Sequence, residues 1–140
     1  MNEDQTQAHI IKWFSNTYPE FRGLLFEVNN DTKSIKHAMK RRAMGMISGV
    51  SDLLFITPQG RVAGIEIKAP ETRHKTTHII NQLSWGNLVI ETGGLYLISA
   101  SIDEIMMFVN EIINFNFERA HVMSQSSISR IDLSKSTVKF

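Results

Sequence analysis

Asp52, Glu66 and Lys68 are the residues of this 140-residue chain whose types and spacing could do chemistry. Asp52 opens one apolar run, Leu53-Leu54-Phe55-Ile56, and Glu66-Ile67-Lys68 closes a second that starts at Val62. Together they read as a β-hairpin: a strand over Ser51–Thr57, a turn over Pro58–Arg61, and a strand over Val62–Lys68. Side chains alternate along a strand, so Glu66 and Lys68 share one face while Ala63, Ile65 and Ile67 share the other. An acid and a lysine on an otherwise core-like strand cost desolvation energy and need a partner. A divalent cation held by Asp52 and Glu66 would be that partner, and their oxygen ligands suit Mg²⁺ or Mn²⁺. The alternative for the two acids is an ordinary pairing with Lys68 or Arg61.

The elements that must position these residues follow from periodicity. Ile10, Ile11, Phe14 and Tyr18 predict a helix over about 3–18, closed by Pro19. Glu3 and Gln7 continue that face toward the N-terminus, and an acid on a core-facing stripe is unusual. Leu24–Val28 is a strand candidate, followed by a turn at Asn29-Asn30-Asp31. Residues 33–44 start as a helix and give way to a loop around Gly45 and Gly49 that hugs another backbone. After the hairpin come a polar, basic loop and a helix over about 76–91, capped by Gly93-Gly94. Leu95–Ile98 follows as a buried strand. Ser101 caps a helix that buries Ile105, Phe108, Val109, Ile112 and Ile113. The last 25 residues are less regular. Ile131/Leu133 and Val138/Phe140 alternate like two short strands, an added hairpin or a dimer-forming arm. The order predicts an α/β fold: a central mixed sheet flanked by helices, N-terminal helix first.

Length and composition bound the rest. One domain is expected, with 42% hydrophobic and 21% charged residues, as in a soluble globular protein. There is no cysteine, which rules out disulfides and thiolate metal sites and fits a reducing compartment. No apolar run spans a bilayer, and the acidic start of the chain lacks the pattern of a signal peptide. A cytoplasmic protein, in a bacterial or phage-infected cell, is the expectation. The net charge of +1 does not advertise a nucleic-acid binder, but its distribution does. Lys33, Lys36, Lys40, Arg41 and Arg42 cluster without an acid, and Arg73, His74, Lys75 and His78 form a second basic spot. Both are candidate DNA contacts, although a basic run is also simply a solvated helix face. His74 and His78 read as surface residues or phosphate contacts rather than metal ligands.

Glu3 and Gln7, the run Gly45-x3-Gly49-Val50-Ser51-Asp52, Glu66-Ile67-Lys68, and Gln82 in the next helix resemble the PD-(D/E)XK nuclease superfamily. The likeness is to its VRR-NUC branch, in the small stand-alone form of phages and bacteria, and it implies a restriction-endonuclease-like sheet. It covers roughly residues 3–113, giving a nuclease domain at 1–115 and a C-terminal extension at 116–140. Ser51 departs from the pattern, which has Pro before the acid.

The resemblance implies that Asp52 and Glu66 hold Mg²⁺ or Mn²⁺, with the Ile67 backbone carbonyl as a third oxygen and Glu3 supporting the metal or its waters. Lys68 would orient the attacking water or offset charge on the phosphate. As a general base it would have to give up its proton, which neighbouring acids oppose. Gln82 would bond the lysine or a phosphate oxygen. The implied activity is structure-specific cleavage of branched DNA, including Holliday-junction resolution by a homodimer. The alternatives are a nicking or repair nuclease, the nuclease part of a larger phage or defence assembly, an RNase, and a catalytically silent DNA-binding domain.

Overall fold

The computed structural model describes residues 1–29 and 32–140, so Asn30 and Asp31 of the expected turn lie outside the described residues. Helix α1 spans Glu3–Thr17. Its start is fixed by a capping box, in which the Asn2 side chain accepts from the Gln5 N–H and the Gln5 side chain accepts from the Asn2 N–H. Its buried stripe is Thr6, Ile10 and Phe14, and Glu3 and Gln7 flank it half-buried rather than lying on it. The Phe14 ring meets Phe55 edge-on with centroids 5.5 Å apart, which seats the helix on the sheet.

Four strands form the central sheet: β1 (Leu25–Glu27), β2 (Leu53–Ile56), β3 (Val62–Ile67) and β5 (Leu95–Ser99), side by side in that order. The first three are antiparallel, and β3 pairs with β5 in parallel. A parallel pair needs a crossover, supplied here by α3 (Thr76–Glu91). Ala63, Ile65 and Ile67 of β3 join Leu53, Phe55, Leu95 and Leu97 in the larger core, shared with α1 and with α4 (Ile102–Ile113). Tyr96 and Ile98 point the other way, toward Ile79 and Leu83 of α3. Register partners of a parallel pair share a face, so Gly64 and Glu66 lie on the α3 side with Tyr96 and Ile98.

Two expectations for the chain after residue 70 are corrected. The basic loop contains a strand, β4 (Arg73–Lys75), which pairs antiparallel with β6 (Thr137–Lys139) in a separate two-stranded ribbon. The extension at 116–140 is not a hairpin. It is helix α5 (Phe117–Ser129) followed by β6, and Ile131 and Leu133 lie in no strand. Helix α5 lies along the outer edge of β5. The Ser124 hydroxyl donates to the Tyr96 carbonyl, and the Ile98 N–H donates to the Ser127 hydroxyl at 3.3 Å. Ala120 joins the larger core.

Helix α3 approaches the sheet closely because small residues face it. A Cβ placed on Gly86 would sit 2.6 Å from the Tyr96 ring, and one on Gly64 would sit 2.8 Å from the Trp85 ring. Gly86→Ala is therefore expected to destabilise the protein by about 2 kcal/mol through overpacking, despite alanine's better helix propensity. Urea denaturation of the variant beside the parent checks this.

Candidate functional site

The acids meet where β2 begins and β3 ends. Leu53 pairs with Ile65, which brings Asp52 beside Glu66. Two reciprocal bonds lock them: the Asp52 N–H donates to Glu66 Oε2 at 3.1 Å, and the Ile67 N–H donates to Asp52 Oδ2 at 2.8 Å. Lys68 Nζ donates to Glu66 Oε1 at 3.2 Å, in a pair whose side chains are 6% and 4% exposed. The entry to β2 is set by Gly49, with φ +88°, where a Cβ would lie 2.7 Å from the Asn81 carbonyl of α3. Asn81 Nδ2 donates to Ser48 Oγ at 2.7 Å, so α3 holds the loop that delivers Asp52. Ser51 is fully buried and spends its hydroxyl on the Leu53 carbonyl at 2.7 Å, which makes it part of the scaffold.

Burial dominates the electrostatics. It pushes the Glu66 carboxyl up to about 8, and the charge of Asp52 adds to the push while Lys68 opposes it. Asp52 is also raised by burial, against the pull of the Ile67 N–H and of Lys68 and with a further push from Glu3. Glu3, half-buried at the start of α1, is therefore close enough for its charge to reach Asp52. Among the described residues no three side chains of Asp, Glu, His or Cys gather as a ligand set. The side-chain donors are the Asp52/Glu66 pair, with Glu3 standing apart from it.

Helix α3 and β5 contribute uncharged polar groups. Gln82 Oε1 on α3 is buried and accepts no hydrogen bond. The Tyr96 hydroxyl is buried and unbonded too, and burial followed by the charges of Glu66 and Asp52 raises it above the usual phenol range. Tyr96 did not emerge from the sequence. It sits in an apolar run, and only its pairing with Gly64 shows that it faces the acids' side.

The expected basic contacts divide into three groups. Helix α2 (Ile35–Ala43) is capped by Ser34 and buries no residue, and Lys33, Lys36, Lys40, Arg41 and Arg42 are all exposed. Arg73, Lys75 and His78 are exposed as well. His74 differs from its neighbours: its ring packs edge-on against Phe140, and its Nε2 is shut away from solvent without a partner. It lies near Lys68, since burial first and then the Lys68 charge hold its imidazole below the ordinary range.

The Glu66 shift fixes a pH dependence. Below pH 4.5 the folded and unfolded chains both hold the proton, and the group contributes no difference. Between 4.5 and about 8 the unfolded chain releases it while the folded chain retains it, so stability falls as pH rises. Without added metal, Glu66→Gln is expected to melt higher than the parent at pH 8, by on the order of 1–3 kcal/mol, and the gap should close toward pH 4. Thermal melts across that range in EDTA measure it.

No protein-family model matches the sequence, and no curated protein matches it. A solved structure described as a "VRR_NUC domain protein" superposes with a TM-score of 0.66 at 17% identity, covering 81% of this chain and 89% of the other. At that identity the likeness speaks to architecture, and the chain has a VRR-NUC nuclease-like fold.

Proposed function

We propose that the protein is a divalent-metal-dependent nuclease that hydrolyses phosphodiester bonds in branched DNA. The observation that carries the proposal is the geometry of the Asp52/Glu66 pair: a half-buried and a buried carboxyl side by side, cross-bonded through the Asp52 and Ile67 amides, with Lys68 on Glu66. Such a pair fits a hard cation, and Mg²⁺ commonly takes one or two carboxylates and leaves its other positions to water and phosphate oxygens. Asp52 and Glu66 would hold it. Ile67 turns its N–H toward Asp52, and an extended residue presents its carbonyl at the same edge, which suits that oxygen as a further ligand. Glu3 would order the waters around the ion. When bound, Mg²⁺ or Mn²⁺ would polarise the phosphate and lower the pKa of a water.

The chain's own groups do the remaining work. Lys68, which holds Glu66 in this structure, would offset charge on the phosphate oxygens or align the attacking water. Gln82 offers its unspent Oε1 to the lysine or to that water, and its amide to a phosphate oxygen. The exposed cations of α2, with Arg73, Lys75 and His78, would line up the backbone of the DNA, whereas His74, packed on Phe140 with Nε2 enclosed, is not placed as the expected phosphate contact. A single domain with one site cuts one strand, so symmetric cleavage of a four-way junction calls for a two-fold homodimer.

Cleavage of labelled single-stranded, duplex, flap and four-way junction DNA, with Mg²⁺, Mn²⁺ or EDTA, tests this reading. Metal-dependent cutting of branched substrates is expected, falling by on the order of 10²–10³-fold or more in Asp52→Ala and Lys68→Ala proteins that keep their circular dichroism. Binding without cleavage under every condition would leave a silent DNA-binding domain in its place. Sedimentation equilibrium with and without junction DNA reports on the dimer.

A further inference from the structure

A cavity of about 670 Å³ opens beside the acid pair and has no part in the chemistry above. It lies between the end of β5, the start of α4, the end of α5 and the β4–β6 ribbon. Its apolar lining includes Ile98, Val138 and Phe140, and its exposed rim carries Arg73, Lys135 and Lys139, the last paired with Glu71 at 2.5 Å. Ile98 is the register partner of Glu66 across the parallel pair, so the two side chains leave the same sheet face from neighbouring strands, whose backbones lie about 4.8 Å apart. The next residue pair ties the two regions further, because the Lys68 N–H donates to the Ser99 carbonyl at 2.9 Å. On the other flank Phe140 packs against His74, which in turn neighbours Lys68.

We propose that this cavity receives an unpaired nucleotide of the substrate, adjoining the phosphodiester bond to be cut. The proposal rests on the nuclease reading and adds to it the substrate feature that the enzyme selects. Three properties point to a nucleotide. The volume lies in the range of small-ligand sites, far too small for a duplex but adequate for one base and its sugar. The apolar floor with an aromatic ring suits the face of a base, and the rim cations suit its flanking phosphates. The rim charges that no opposite charge pairs are net positive, Arg73 and Lys135 against Asp132, since Lys139 is paired with Glu71 and Glu104 with Arg130. Glu104 binds Arg130 at 2.8 Å, and Asp132 accepts from the Ser134 N–H and hydroxyl at 3.0 and 2.6 Å. A base stacked in a duplex cannot enter. A base at a branch, flap or overhang can, so the cavity favours DNA that is already unpaired beside the cut.

The test is binding by fluorescence anisotropy, with Ca²⁺ in place of Mg²⁺, to flap DNA whose first unpaired position is either a normal nucleotide or an abasic one. The full chain is compared with Lys135→Glu and Phe140→Ala, and with Lys12→Glu as a charge-matched control on the exposed side of α1. The parent and the Lys12 variant should bind the normal flap at least about fivefold more tightly than the abasic one, a preference in the range that base stacking supplies. The two cavity variants should lose that preference while keeping their thermal melts. Equal affinity of the parent for both flaps, or a preference intact in both cavity variants, would overturn the proposal. Cleavage in Mg²⁺ separates the two readings. A parent that prefers the normal flap but never cuts it keeps the nucleotide cavity and loses the nuclease, whereas one that cuts both flaps equally keeps the nuclease and loses the cavity.

Discussion

The charge of Asp52 works against ionising Glu66, and the fold keeps the two side by side, Glu66 buried and Asp52 half-buried, with a single ammonium on Glu66. That constraint explains much of the architecture. Two buried carboxylates can stay adjacent only if backbone groups take up part of their charge, and the reciprocal bonds from the Asp52 and Ile67 amides do so. Those bonds exist because β2 and β3 pair in one register, and a shift by one residue would turn Glu66 into the apolar core. The entry to β2 is held in turn by the contact of Gly49 with the Asn81 carbonyl. Helix α3 thus acts on the site twice, fixing Asp52 from outside the sheet and presenting Gln82 one residue further along.

Burying such a pair lowers stability near neutral pH, and the closely packed sheet is what tolerates it. Ala63, Ile65 and Ile67 alternate with Val62, Gly64 and Glu66 and are essentially inaccessible to water, so the strand that carries Glu66 also anchors the larger core. The Tyr96 hydroxyl, near the acids, and Gln82 Oε1 on α3 lie buried with no partner, each forgoing a hydrogen bond of about 1 kcal/mol or more. Raised carboxyls and an unbonded phenol beside them are what the proposed metal site would draw on.

The sequence made some of this legible and hid the rest for physical reasons. The β2–β3 hairpin and α4 announce themselves through unbroken apolar periodicity, and the three charged residues stand out because each interrupts or ends an apolar run. Helix α5 gives no such signal. Its buried positions are Ala120, Ser124 and Ser127, small or polar residues that leave no apolar stripe to read. Strands β4 and β6 are three residues each and rich in charge, and they exist through their pairing with one another. Tyr96 was invisible for another reason: alternation assigns a residue to a face, but which face holds the acids depends on the parallel register with β3.

The serines of α5 stand where a fifth strand would otherwise hydrogen-bond. A sheet grows from an edge whose amides and carbonyls are unspent, and on β5, the sheet's entirely buried strand, Ser124 and Ser127 have already taken them. The hydroxyls thus work as a chain terminator: they end the ladder without adding another strand that would itself need covering. A chain cut short before Phe117 would bare its entirely buried strand along a hydrogen-bonding edge, to water and to every other copy in solution. Keeping this protein dispersed therefore falls to the segment that its sequence marks least.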